Sequence, residues 1–90
     1  MRKQTHISIF GIVQGVFFRV SAASVARKMQ LSGYARNLPN SSVEVLAEGE
    51  EEKLKRMIEW CKQGPPGAHV DHIEVEWCEA TNRFQSFQIR

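Results

Sequence analysis

The chain lacks most of the features that would assign it quickly to a function class. It has only two cysteines, Cys61 and Cys78, which fit neither a CxxC redox motif nor a zinc-ligand spacing, so free thiols in a reducing compartment are expected. No apolar run is longer than a few residues, so no segment is suited to crossing a bilayer as a helix. The opening Met-Arg-Lys-Gln-Thr-His passes from basic residues into alternation, without the apolar core or small-residue cleavage site of a secretory leader. Charge of one sign is also missing. A formal net charge of +2 is too small for the electrostatic footprint of a nucleic-acid binder. His6, His69 and His72 show no ligand spacing, so no metal site is expected. Together these absences predict a soluble cytoplasmic protein with no membrane, nucleic-acid or metal partner.

What is present is ordinary globular composition. Hydrophobic residues make up 42% and charged residues 24%, which suits one compact domain over residues 1–90. Residues 5 to 13 alternate, with Ile7, Ile9, Gly11 and Val13 on one side and Phe10 and Ile12 on the other, the pattern of a central strand. After the loop from Gln14 to Arg19, Ala22, Val25, Ala26 and Met29 form one helical stripe that ends before Gly33. Tyr34 to Leu38 reads as a short strand, Pro39-Asn40-Ser41-Ser42 as a tight turn, and Val43 to Gly49 as the strand returning from it. A second helix is expected over Glu50 to Lys62, with Leu54, Met57, Ile58 and Cys61 on its stripe and Gly64-Pro65-Pro66-Gly67 as its stop. Ile73, Val75 and Trp77 mark a fourth strand, and Phe87 and Ile89 a short last one. The order β-α-β-β-α-β plus a C-terminal strand predicts an α+β, ferredoxin-like sandwich, with both helices on one face of a mostly antiparallel sheet. That fold hosts many functions and selects none.

Two places carry possible chemistry. The loop Gln14 to Arg19 joins a central strand to a helix. Its backbone amides and the Arg19 guanidinium suit an anion, while the plainer alternative makes Ser21 a helix cap and Arg19 a surface residue. Asn37 is unusual in a strand. Its amide can hold a water or a substrate oxygen, or it can simply begin the turn at Pro39. The acidic cluster Glu44, Glu48, Glu50, Glu51 and Glu52 is expected to be a solvated face or a helix first turn. Trp60, Trp77, Met29 and Met57 are expected to pack rather than to bind.

A family resemblance adds to these readings. Ile9-Phe10-Gly11-Ile12-Val13-Gln14-Gly15-Val16-Phe17-Phe18-Arg19 resembles the first signature of the acylphosphatases at every constrained position. Gly33 to Gly49, GYARNLPNSSVEVLAEG, resembles their second signature, with Ser41 where the family usually has glycine. Asn40 beside it tolerates left-handed geometry, so a hairpin with a shifted turn type is expected. The likeness extends over the whole chain. It implies a hydrolase of the carboxyl-phosphate bond in acyl phosphates. Under it, Arg19 and the amides of Gly15, Val16, Phe17, Phe18 and Arg19 form a phosphate-binding loop, and Asn37 orients the attacking water. Gln14 supports the loop. The resemblance also implies a small-molecule acyl phosphate as substrate, with inorganic phosphate or sulfate as product or mimic, while nothing in the sequence demands more than a monomer and no cofactor or metal is expected. A binding module of the RNA-recognition type would need aromatics at its own motif positions on the central strands, and these are missing.

Overall fold

The computed structural model describes residues 1–90. Seven elements follow in the order β1 (Arg2–Ile12), α1 (Phe18–Lys28), β2 (Ser32–Asn37), β3 (Val43–Glu50), α2 (Glu51–Cys61), β4 (His69–Glu79) and β5 (Phe87–Ile89). The five strands form one sheet in the order β4-β1-β3-β2-β5. All pairings are antiparallel except β2 with β5. The two helices and the mostly antiparallel sheet make the ferredoxin-like α+β arrangement that the pattern predicts. No helix is long and apolar enough to cross a membrane.

Period-2 alternation explains the core. Ile7 pairs with Val45 and Ile9 with Val43, and all four are fully buried on the helix-bearing face. Helix stripes close that layer with Ala22, Ala23 and Ala26 from α1 and Leu54, Met57 and Cys61 from α2. Cys61 is free, and burial pushes its thiol up to about 12. Cys78 is free and exposed.

The strands are longer than the alternation suggests. β1 starts at Arg2 and β4 runs over 11 residues, because the ladder continues through polar pairs such as Lys3 with Glu79. Main-chain pairing needs no apolar side chain. α1 starts earlier than expected, at Phe18 rather than beyond Arg19. Phe18 is only 2% exposed and its ring lies 5.2 Å from that of Trp60, so burial draws the first turn into the helix. Gly64 completes this support. Its φ is +69°, and a Cβ there would sit 2.6 Å from the Phe18 ring.

The acidic cluster divides. Glu51 and Glu52 occupy the first turn of α2, as expected. Glu44 and Glu48, by contrast, are buried at 8% and 0% exposure on the helix-free face of the sheet, which corrects their expected solvation. Glu48 accepts from Gln4 Nε2 at 2.6 Å, Thr81 Oγ1 at 2.6 Å, Thr81 N at 2.8 Å and Asn82 N at 3.0 Å. Burial alone would raise its pKa, but the Thr81, Gln4 and Asn82 donors outweigh it and hold the carboxyl below the ordinary glutamate value. This carboxylate fastens the segment that leads into β5. A depressed carboxyl contributes stability above its unfolded pKa, ordinarily about 4.5, and that contribution is lost as pH falls through the folded value. Glu48→Gln places an NH₂ group against at least one of these donors. We expect a loss of about 1–3 kcal/mol at neutral pH and a shallower fall in stability below pH 4.5. Denaturant titrations of both proteins across that range measure both effects.

Candidate active site

The end of β1 and the start of α1 enclose the place where the two candidate regions meet. Gly15 has φ +75° and Phe17 φ +62°, with Val16 between them outside the positive range. Alternation of this kind turns successive amides toward one side, the geometry of an anion nest. Phe17 is the N-cap of α1, with ψ 29° and no side-chain cap. The plainer alternative, in which Ser21 caps the helix, is therefore overturned: the Ser21 amide is already an interior donor, to Phe17 O at 3.1 Å. The amides ahead of it are the helix's free donors. No carboxylate occupies the first turn of α1, so its positive end is uncompensated.

Gln14 fixes this loop to the neighbouring hairpin. Its Nε2 donates to Leu38 O and to Ser42 O, each at 2.9 Å. Its supporting role is therefore visible in the geometry. The β2–β3 hairpin closes through Leu38 N to Ser42 O at 2.9 Å and Ser41 N to Leu38 O at 3.1 Å. Ser41 itself takes the left-handed conformation, at φ +74°, rather than passing it to Asn40. Asn40 contributes through its side chain instead, with Oδ1 accepting from Ser42 N at 3.1 Å and Ser42 Oγ at 2.5 Å.

Those bonds bear on Asn37. It is the last residue of β2, in register with Val43, and it lies on the helix-bearing side of the sheet. The turn is held by Asn40, Leu38 and Ser42, and no side-chain bond of Asn37 contributes to it. Arg36 points to the opposite face, where it ion-pairs with Glu44. Burial pushes the Glu44 carboxyl up, but His6 Nε2 at 2.6 Å and the Arg36 guanidinium together hold it below the ordinary range. Arg36 is thereby committed away from the loop.

Val13, Gly15, Phe17, Phe18, Arg19, Val20 and Asn37 line one pocket of about 210 Å³. The structure thus brings Arg19 and Asn37 together with three residues of the expected loop. Val16 is not among the lining residues. The pocket has one guanidinium and one carboxamide and no carboxylate, imidazole or thiol, so the chemistry its side chains can offer is chiefly hydrogen-bond donation. Arg19 has a further partner that nothing in the sequence pattern signals. Its Nη1 donates to the main-chain oxygen of Arg90 at 2.7 Å. The closing segment is itself anchored, by Arg90 N to Ala35 O at 2.8 Å and by the Arg90 guanidinium 4.3 Å from the Tyr34 ring centre. Arg27 of α1 reinforces it, donating from Nε and Nη2 to Phe87 O at 3.1 and 2.9 Å. A main-chain acceptor carries no residue-type signal, which is why this support escapes sequence reasoning.

Comparison with known proteins agrees with the geometry. The acylphosphatase family model matches residues 5–89. An acylphosphatase of Anaeromyxobacter dehalogenans is 43% identical over 89 residues, covering 99% of this chain and 96% of its own. One from Thermococcus kodakarensis is 46% identical over 78 residues, covering 87% of this chain and 86% of its own. The crystal structure of acylphosphatase from Bacillus subtilis superposes with a TM-score of 0.94 at 36% identity, covering 100% of this chain and 99% of that one.

Proposed function

Because the chain belongs to the acylphosphatase family of hydrolases, we propose that it hydrolyses the carboxyl-phosphate bond of acyl phosphates, with Arg19 and Asn37 as its catalytic residues. The observation that carries this reading is the single pocket shared by the Gly15–Arg19 turn, the Arg19 guanidinium and Asn37. The phosphoryl oxygens accept from the amides of Gly15, Val16, Phe17, Phe18 and Arg19 and from the part of the guanidinium not held by Arg90. Asn37 orients the attacking water. Phosphoryl transfer proceeds through a loose transition state with charge on the equatorial oxygens, so preorganised donors supply most of the catalysis.

The leaving group is a carboxylate, whose conjugate acid has a pKa of about 4, so it departs without a general acid. Water forms the new P–O bond as the bond to the carboxylate oxygen breaks, and a phosphoryl oxygen takes the proton. The reaction therefore needs neither cofactor nor metal. The same reading takes residues 1–90 as one catalytic domain, working as a cytoplasmic monomer with no nucleic-acid or membrane partner.

The test is hydrolysis of benzoyl phosphate by purified protein in excess chelator. Steady release of benzoate and inorganic phosphate is expected, with phosphate inhibiting competitively and sulfate doing likewise. Absence of turnover, or turnover that chelator abolishes and added metal restores, would overturn the reading.

A further inference from the structure

Arg27 stands in the last turn of α1, where a cation ordinarily serves the helix's own negative end. Its guanidinium turns instead to another element. Nε and Nη2 both donate to the main-chain oxygen of Phe87, at 3.1 and 2.9 Å. That acceptor is neutral, and it belongs to the shortest strand of the sheet. β5 covers only Phe87–Ile89, lies at the sheet's edge and pairs with β2 alone. Ser86 O is taken by Gly33 N, so alternation turns Phe87 O to the open edge, where Arg27 meets it.

Earlier on the same helix, Arg19 Nη1 donates to the main-chain oxygen of Arg90, just beyond β5. The two spans match. From Arg19 to Arg27 the helix rises about 12 Å, and from Phe87 to Arg90 an extended chain advances about 10 Å. α1 therefore grips the closing segment at two points, in opposite chain directions, and one grip is the guanidinium in the pocket.

We propose that Arg27 is a positioning residue for Arg19. By fixing β5 against α1, it fixes the acceptor that sets the plane of the Arg19 guanidinium. The role rests on the hydrolase reading given above, because it acts only through Arg19. Without Arg27, β5 keeps its pairing with β2 and the burial of Phe87, which is 1% exposed. The strand stays in the sheet, but its outer edge is free to shift along α1. Arg90 O moves with it and carries the Arg19 donors out of line. A misplacement of about 1 Å at a reacting centre can cost on the order of a hundredfold in rate.

The experiment is a double-mutant cycle between Arg27→Gln and Arg19→Lys. It is read by kcat/KM for benzoyl phosphate and by calorimetric binding of inorganic phosphate. Arg27→Gln alone should lower kcat/KM about tenfold and weaken phosphate binding several-fold. In the Arg19→Lys background the same change should cost less than about twofold, because no guanidinium plane remains to be set. Arg27→Lys, whose ammonium still donates to Phe87 O, should lose less than Arg27→Gln, and it carries the same cycle if Arg27→Gln does not fold. Melting curves set the assay temperature below unfolding for every variant. A brace with no bearing on Arg19 would cost the same factor in both backgrounds. That result, or an Arg27→Gln protein with the parent's kcat/KM and phosphate affinity, overturns the positioning role. A parent protein that binds phosphate but hydrolyses no benzoyl phosphate overturns the hydrolase reading instead.

Discussion

Arg19→Lys is expected to lose most of the activity although it keeps the positive charge. In the proposed mechanism the guanidinium has two simultaneous tasks at this site. One nitrogen donates to the Arg90 main-chain oxygen at 2.7 Å, and the planar fork leaves other donors facing the pocket. A lysine ammonium is a single point with rotating donors, so it satisfies Arg90 or the phosphoryl group but does not bridge both in a fixed plane. The first turn of α1 presents the residue, and the burial of Phe18 beside it holds that turn in place, so the change leaves the loop itself intact. The expected loss is about 2–4 kcal/mol of transition-state stabilisation, by analogy with removal of one oxyanion donor, or roughly 30- to 1,000-fold in kcat/KM. Inhibition by inorganic phosphate should weaken in parallel, because the same donors hold the product. Steady-state kinetics with phosphate as competitor measure both. A lysine variant close to the parent in both quantities would sink the claim that the fork matters.

The parts of this molecule legible in its sequence are those where one residue's chemistry and its periodicity agree. Ile7 and Ile9 alternate because one face of β1 packs under the helices, and Leu54, Met57 and Cys61 recur at helical spacing because one stripe of α2 does. Element ends were harder to read. β1 and β4 continue through polar residues because the ladder is made by the main chain, and α1 begins at Phe18 because a core contact with Trp60 outweighs weak helix-start signals. The acidic cluster misled because composition does not reveal partners. Glu44 meets His6 and Arg36, and Glu48 meets Gln4, Thr81 and Asn82, from segments distant in the chain.

The site divides the same way. Residue chemistry left Arg19 and Asn37 each with two readings, and only the resemblance of the two motifs favoured the catalytic ones. The structure adds their shared pocket, the Arg90 acceptor and the left-handed Phe17. Main-chain acceptors and φ values are consequences of tertiary packing, so no residue type encodes them.

Asn37→Ala should separate catalyst from anion-binding module. In a turn-capping role, the asparagine would contribute about 1 kcal/mol to stability and little to rate. The geometry favours the other outcome, because the turn is already closed by Asn40 Oδ1 on Ser42 and by the Leu38, Ser41 and Ser42 main chain. Asn37 instead ends β2 on the helix-bearing side and lines the pocket with Arg19. In the proposed mechanism, the contacts of this carboxamide with the attacking water orient it and strengthen as the water approaches phosphorus. Their removal should lower kcat and kcat/KM together, on the order of a hundredfold or more. Phosphate should still inhibit at nearly the parent concentration, since the loop amides and Arg19 are untouched. The thermal midpoint should barely move, because exposed positions without a structural bond usually tolerate truncation within about 0.5 kcal/mol. Kinetics, phosphate inhibition and melting curves on one preparation give all three quantities. A variant that melts earlier but turns over at the parent rate would assign Asn37 to the hairpin and leave the pocket an anion site without a positioned nucleophile.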